Sequence, residues 1–107
     1  MTRPVYAHDL TAGDVLRLER ERQGRVQRQT AHAVGITAGH LCDVERNRPA
    51  HILSEETMTK LAALLGLDAW ELMLRDGRVP AEVADALRRD PTQGAAVLRA
   101  MTQGVGR

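Results

Sequence analysis

The chain holds no phenylalanine, one tyrosine, one tryptophan and one cysteine among its 107 residues. A lone Cys42 excludes an internal disulfide framework. With so few aromatics the core must be Leu, Val, Ala and Met, a composition that favours helices over a β-sandwich. No apolar run approaches the ~18 residues that span a bilayer. No stretch alternates apolar and polar residues as a half-buried strand does. The N-terminus, Met-Thr-Arg-Pro-Val-Tyr-Ala-His-Asp, lacks the apolar stretch of a signal peptide. Nothing pairs a nucleophile with a base, and there is neither a Gly-rich phosphate loop nor an acidic dyad, so no enzyme is expected. The expectation is one all-α domain, soluble and cytoplasmic, with no cofactor.

What is present is a series of helix starts and stops. Residues 1–10 read as an extended arm, disordered by default at a terminus. Thr11 caps a first helix to about Gln23, with Asp14 in its first turn and Arg17 four residues before Glu21. Gly24 stops it. A second helix runs from Val26 or Gln27 to Val34, and a third from Ala38 to about Arg46. Residues 46–53 form a loop through Pro49. Ser54 caps a fourth helix with Met58, Leu61, Ala62, Leu64 and Leu65 buried, ending at Gly66. Asp68 and Glu71 have the spacing of a capping box for a short fifth helix that returns Leu72 and Met73 to the core. Asp76-Gly77 breaks the chain. Pro80 fits the first position of a sixth helix, and Asp90-Pro91 opens a seventh, which frays at Gly104 and Gly106.

Charge is unevenly placed. From Arg17 to His51 there are seven arginines against four acids, and from Ser54 onward seven bases against eight acids. The basic excess surrounds residues 30–49. In that stretch Ala31, Val34, Ile36, Leu41 and Val44 suit a small apolar core. Gly35 can take the left-handed conformation that ends a helix, and Thr37 can cap the next one near His40. Two short helices joined by a tight turn, the second with a small polar outer face, form the pattern of a helix-turn-helix DNA reader.

Three blocks then resemble one family. They are Gln27, Ala31 and Val34-Gly35-Ile36-Thr37; Leu41-Cys42-Asp43-Val44-Glu45-Arg46; and Leu61-Ala62-Ala63-Leu64-Leu65-Gly66-Leu67. At this spacing, across residues 11–75, the chain resembles the phage-repressor-like (Cro/C1-type, xenobiotic-response-element) helix-turn-helix regulators. Arg25 and Val26 replace an apolar residue and a capping Ser or Thr. Thr30 replaces a larger aliphatic residue, and Cys42 a frequent Ser.

The resemblance implies a five-helix lambda-repressor-like DNA-binding domain at 11–75, following the arm at 1–10 and preceding a helical extension at 76–107. It implies a homodimer laying helix 3 of each subunit in successive major grooves of double-stranded DNA. Carried over by position, the base-reading slots match Ala38, Gly39 and His40, with Asp43 one turn on. Gln27, Arg28 and Thr37 match slots near the phosphates. Arg46, Asn47 and Arg48 sit where the chain leaves helix 3 and suit backbone contacts, and Arg3 in the arm is another candidate.

Ala38 suits a thymine methyl and His40 a guanine edge; Asp43 suits either cytosine or a pairing with Arg46. Gly39 costs about 0.5–1 kcal/mol in a helix relative to Ala. Close approach to a base pair and close helix packing explain it equally well. His32, His40, His51 and Cys42 do not have the spacing of a four-ligand zinc site, and Cys42 reads as a small half-buried residue. Glu45 reads as a brace.

Val83, Leu87, Val97, Leu98 and Met101 are surplus to a five-helix core and suit dimerisation. The alternative is packing on Trp70 and Leu74 within one chain, and the two are compatible. The leading reading is a repressor, and the alternative is an antitoxin-like module with a regulatory protein partner.

Overall fold

Helix starts in this chain are decided by short-range caps. Thr11, Thr37, Ser54, Asp68 and Asp90 each accept a backbone N–H from two or three residues ahead, satisfying donors that the first turn leaves unpaired. The computed structural model describes residues 5–104, which form α1 (Ala12–Arg22), α2 (Gln27–Ala33), α3 (Ala38–Glu45), α4 (Glu55–Leu65), α5 (Ala69–Arg75), α6 (Ala81–Arg89) and α7 (Pro91–Gly104). There is no strand among the described residues. None of these helices is long and apolar enough to cross a membrane. The stops are equally local: Gly24, Gly35, Gly66 and Gly77 all take the left-handed conformation, with φ between 69° and 81°.

Two starts differ from the sequence expectation. The Asp68 box forms by half: Asp68 accepts from Trp70 and Glu71, while the Glu71 carboxylate turns to Arg75. Pro80 sits at the cap of α6 rather than at its first helical residue, and it is buried. The Glu55 carboxylate accepts from Ala81 N at 3.0 Å and supplies the missing cap from α4.

α1 is the hub. It packs on α3, α4 and α5, while α2 pairs with α3 and α4 with α5. The core gathers Val15 and Leu16 from α1, Leu41 and Val44 from α3, Met58 and Leu61 from α4, and Leu72 and Met73 from α5. α1 and α3 approach so closely that a Cβ on Gly13 would stand 2.3 Å from the Val44 carbonyl oxygen. Only glycine fits there. α6 and α7 make their main contact with each other. They meet where Gly94 lies on Leu87, whose side chain and carbonyl would be 3.1 and 3.2 Å from an added Cβ.

The polar interior is as specific as the apolar one. Arg20 and Glu45 form a buried fork, with Nε donating at 2.7 Å and Nη2 at 2.9 Å. Arg20 Nη1 also donates to the Arg25 carbonyl at 2.7 Å, and Gln27 donates to Glu45 at 2.9 Å. The fork thus ties α1, α2 and α3 together. Glu45 is the brace that the sequence suggests.

The arm is not loose over the part described. Residues 1–4, including Arg3, lie outside the described residues. Tyr6 and Leu10 pack against the core. Arg75 donates to the carbonyls of Tyr6, Ala7 and Leu10 at 3.2, 2.7 and 3.0 Å. The expectation of a disordered terminus fails at residues 5–10 because one guanidinium supplies donors for three irregular carbonyls. The Tyr6 hydroxyl donates to the fully buried Glu19 at 2.7 Å.

Glu19 also accepts from Arg22 and from Gln23. These bonds, Arg22 first, hold its carboxyl down at about 2 against an ordinary 4.5. Burial and the same carboxylate push the Tyr6 phenol up to about 12. A carboxyl whose folded value lies below its unfolded value contributes fully above the unfolded value and loses that contribution as pH falls through the folded one. The Glu19 contribution, up to ~3 kcal/mol, is therefore complete above pH 4.5 and lost between 4.5 and about 2. Asp14, lowered chiefly by Asn47, acts in the same direction. Urea midpoints measured across this window should fall steeply for the natural chain and less for Glu19→Gln; parallel curves would refute the assignment. Gly13→Ala should cost several kcal/mol or abolish folding, since the clash is with backbone.

Candidate nucleic-acid interface

α2 and α3 are joined by a turn in which Val34 closes α2, Gly35 is left-handed and Thr37 caps α3. Val26 caps α2 with no side-chain bond, as its apolar character implies. The buried Thr30 hydroxyl is satisfied by the Val26 carbonyl at 2.9 Å. Leu41, Val44 and Glu45 bury the inner face of α3. Its outer face carries Ala38, Gly39, His40 and Asp43.

Thr37 accepts from His40 N at 3.0 Å, so the cap sets the first turn of this face. Gly39 is exposed and an added Cβ would meet nothing within 4 Å. No neighbouring helix requires a glycine there, which removes the packing explanation and leaves the open side. Ala38 is half-buried.

The structure joins four side chains at the end of this face. Asp43 lies 3.0 Å from Arg48 Nε and 3.4 Å from His51 Nε2. The His40 and His51 rings stand 5.7 Å apart, tilted by 53°. Asp43 therefore pairs with Arg48 and His51 rather than with Arg46. The acid on this face is paired with the Arg48 guanidinium from the following loop, and its repulsion toward an anion is reduced. Sequence reasoning did not place His51 in this cluster. The turn that brings it back, His51 N on the Arg48 carbonyl at 3.0 Å, carries no motif.

The other candidates divide. Arg28 and Arg46 make no side-chain hydrogen bond or ion pair among the described residues, and both are exposed. Gln27 faces inward to Glu45. Asn47 is left-handed at φ 59°. Its carboxamide accepts from Thr11 Oγ1 at 2.6 Å and donates to Asp14 at 2.9 Å, so it joins α3 to α1. Arg25 donates to Gln23 at 2.7 Å. Cys42 is half-buried and borders an open cleft that Arg17, Arg25 and Arg46 also line. Among the described residues no group of three or more His, Cys, Asp or Glu is placed to hold a metal ion.

The dimerisation candidates also divide. Val83 and Leu87 are half-buried within the hairpin. Val97, Leu98 and Met101 remain about half exposed or more, at 48, 49 and 65%. Trp70 and Leu74 are exposed as well, at 44 and 57%, so the hairpin does not cover them.

An exposed helix glycine with open space around it predicts a simple substitution. Gly39→Ala should raise folding stability by about 0.5–1 kcal/mol, read as a higher urea midpoint with an unchanged slope. A lower midpoint would mean that the α3 surface is not open as described.

No family model, no curated protein and no solved structure matches the chain.

Proposed function

We propose that the chain is a sequence-specific DNA-binding transcriptional regulator of the phage-repressor-like helix-turn-helix kind, with α1 to α5 as its five-helix reading domain. The observation that carries this reading is the outer face of α3. It is braced from behind by Glu45 and Arg20, offers Ala38, open Gly39 and His40 outward, and has the partner-free Arg28 and Arg46 nearby in the chain. A small-residue face suits close approach to base edges, while the free guanidiniums suit phosphates.

In this reading α3 enters the major groove, and Arg48 offsets Asp43 at the groove's edge, with His51 beside them. A homodimer would set two half-sites about one DNA turn (~34 Å) apart. The exposed Val97, Leu98 and Met101 on α7 are its dimerisation surface. Repression follows by steric exclusion and requires no catalytic group.

The same exposed apolar residues favour a second reading, an antitoxin-like module whose hairpin binds a regulatory protein. Co-purification of a second protein through α7, with no DNA affinity, would support it over the first.

Selection from a random duplex library, followed by fluorescence anisotropy at several salt concentrations, tests the first reading. The natural chain should enrich a two-fold site. Arg28→Ala plus Arg46→Ala should weaken binding across sequences and reduce the log–log salt slope by about 2. Gly39→Ala should weaken selected-site binding while the fold holds. Absence of DNA affinity at low salt would overturn the reading.

A further inference from the structure

A cleft of about 280 Å³ opens between the start of α1, the exit of α3, the following loop and the α5–α6 link. That volume lies near the lower end of small-molecule sites, roughly 300–1,000 Å³. Its apolar lining includes Val44, Leu53 and Met58, all core residues. Ile52 also lines it and is 64% exposed, an isoleucine that the fold does not cover.

The cleft's charged lining is two guanidiniums, Arg48 and Arg78, against one carboxylate, Asp76, with His51 beside them. Asp76 already accepts from Ala12 N at 3.1 Å. Arg78 is held in place by its bond to the Leu53 carbonyl at 2.7 Å. Arg48 is shared with Asp43. An apolar floor with two guanidiniums at its rim, one of them shared with Asp43, suits a small anion with an apolar body. A nucleotide is too large for it. A DNA phosphate has no apolar part for Val44, Ile52 and Met58. Arg48 and Arg78 favour a carboxylate, which a guanidinium fork matches.

We propose that this cleft is an effector site for a small apolar carboxylic acid, its carboxylate meeting Arg48 and Arg78 and its body lying on Val44, Ile52 and Met58. The site itself does not depend on the DNA reading; its regulatory role does. A carboxylate here competes with Asp43 for Arg48 and adds negative charge at the exit of α3. Such a ligand weakens DNA binding, and DNA weakens the ligand by the same factor.

The test is an NMR titration of the full chain with benzoate and hexanoate, using benzyl alcohol and 1-hexanol as uncharged matches. At least one acid should give saturable shifts at the Ile52 and Met58 methyls, with its alcohol clearly weaker. Ile52→Glu puts an anion on an exposed position and should weaken acid binding at least ~tenfold. Arg78→Gln should do the same, and Ile52→Glu serves alone if loss of the Leu53 contact unfolds it. No saturable shift with either acid, equal binding of acid and alcohol, or indifference to Ile52→Glu overturns the site. Because this readout contains no DNA, its failure is distinct from failure of the DNA reading. On the selected duplex, saturating acid should lower DNA affinity, and unchanged affinity overturns the regulatory role.

Discussion

The buried fork between Arg20 and Glu45 is the constraint on which the placement of α3 depends. A charge pair away from water is costly unless every donor and acceptor is used. Here the guanidinium also reaches the Arg25 carbonyl, and the carboxylate also takes the Gln27 amide. One side chain each from α1 and α3, with the start of α2, is thereby held in a single geometry. An apolar core of Leu, Val, Ala and Met tolerates small rotations, because such side chains repack. A two-point ion pair with supporting bonds does not. The close passage of Gly13 over the Val44 carbonyl limits the separation of the two helices at a second point.

The fork also changes how the basic region is read. Of the arginines between positions 17 and 48, Arg17, Arg20, Arg22 and Arg48 are paired with acids. Their charge is spent largely on the fold and on local neutralisation. Arg28 and Arg46 remain without partners among the described residues, so they are the residues on which a phosphate interaction would rest. Arg22 and Arg75 serve the arm, one through Glu19 and the other directly through backbone carbonyls. The N-terminal segment becomes part of the domain by polar contacts as much as by burial of Tyr6 and Leu10.

The hairpin stands apart from this economy of charge. α6 and α7 close on each other through Leu87 and Gly94, and the Ala81–Glu55 bond links the start of α6 to α4. Two helices of this length bury little apolar surface by themselves, and α7 keeps Val97, Leu98 and Met101 in contact with water. The proposed association surface on α7 rests on that imbalance.

Helix starts and stops were legible in the sequence because their causes are local. Thr11, Thr37, Ser54, Asp68 and Asp90 act over two or three residues, and the left-handed glycines act at a single backbone position. The apolar repeat likewise marked Leu61, Ala62, Leu65, Leu72 and Met73 as core, since helical period alone puts them on inner faces. Which polar side chain meets which was not legible. Asn47 serves α1, Gln27 turns inward and Asp43 is answered by His51 and Arg48, while Arg75 clamps an arm more than sixty residues away. Long polar side chains reach in any direction their rotamers permit, and only the packed backbone decides which donors and acceptors come within bonding distance. The sequence by itself determined the helices and their buried faces; the tertiary structure decided which charges the fold consumes and which remain for a partner.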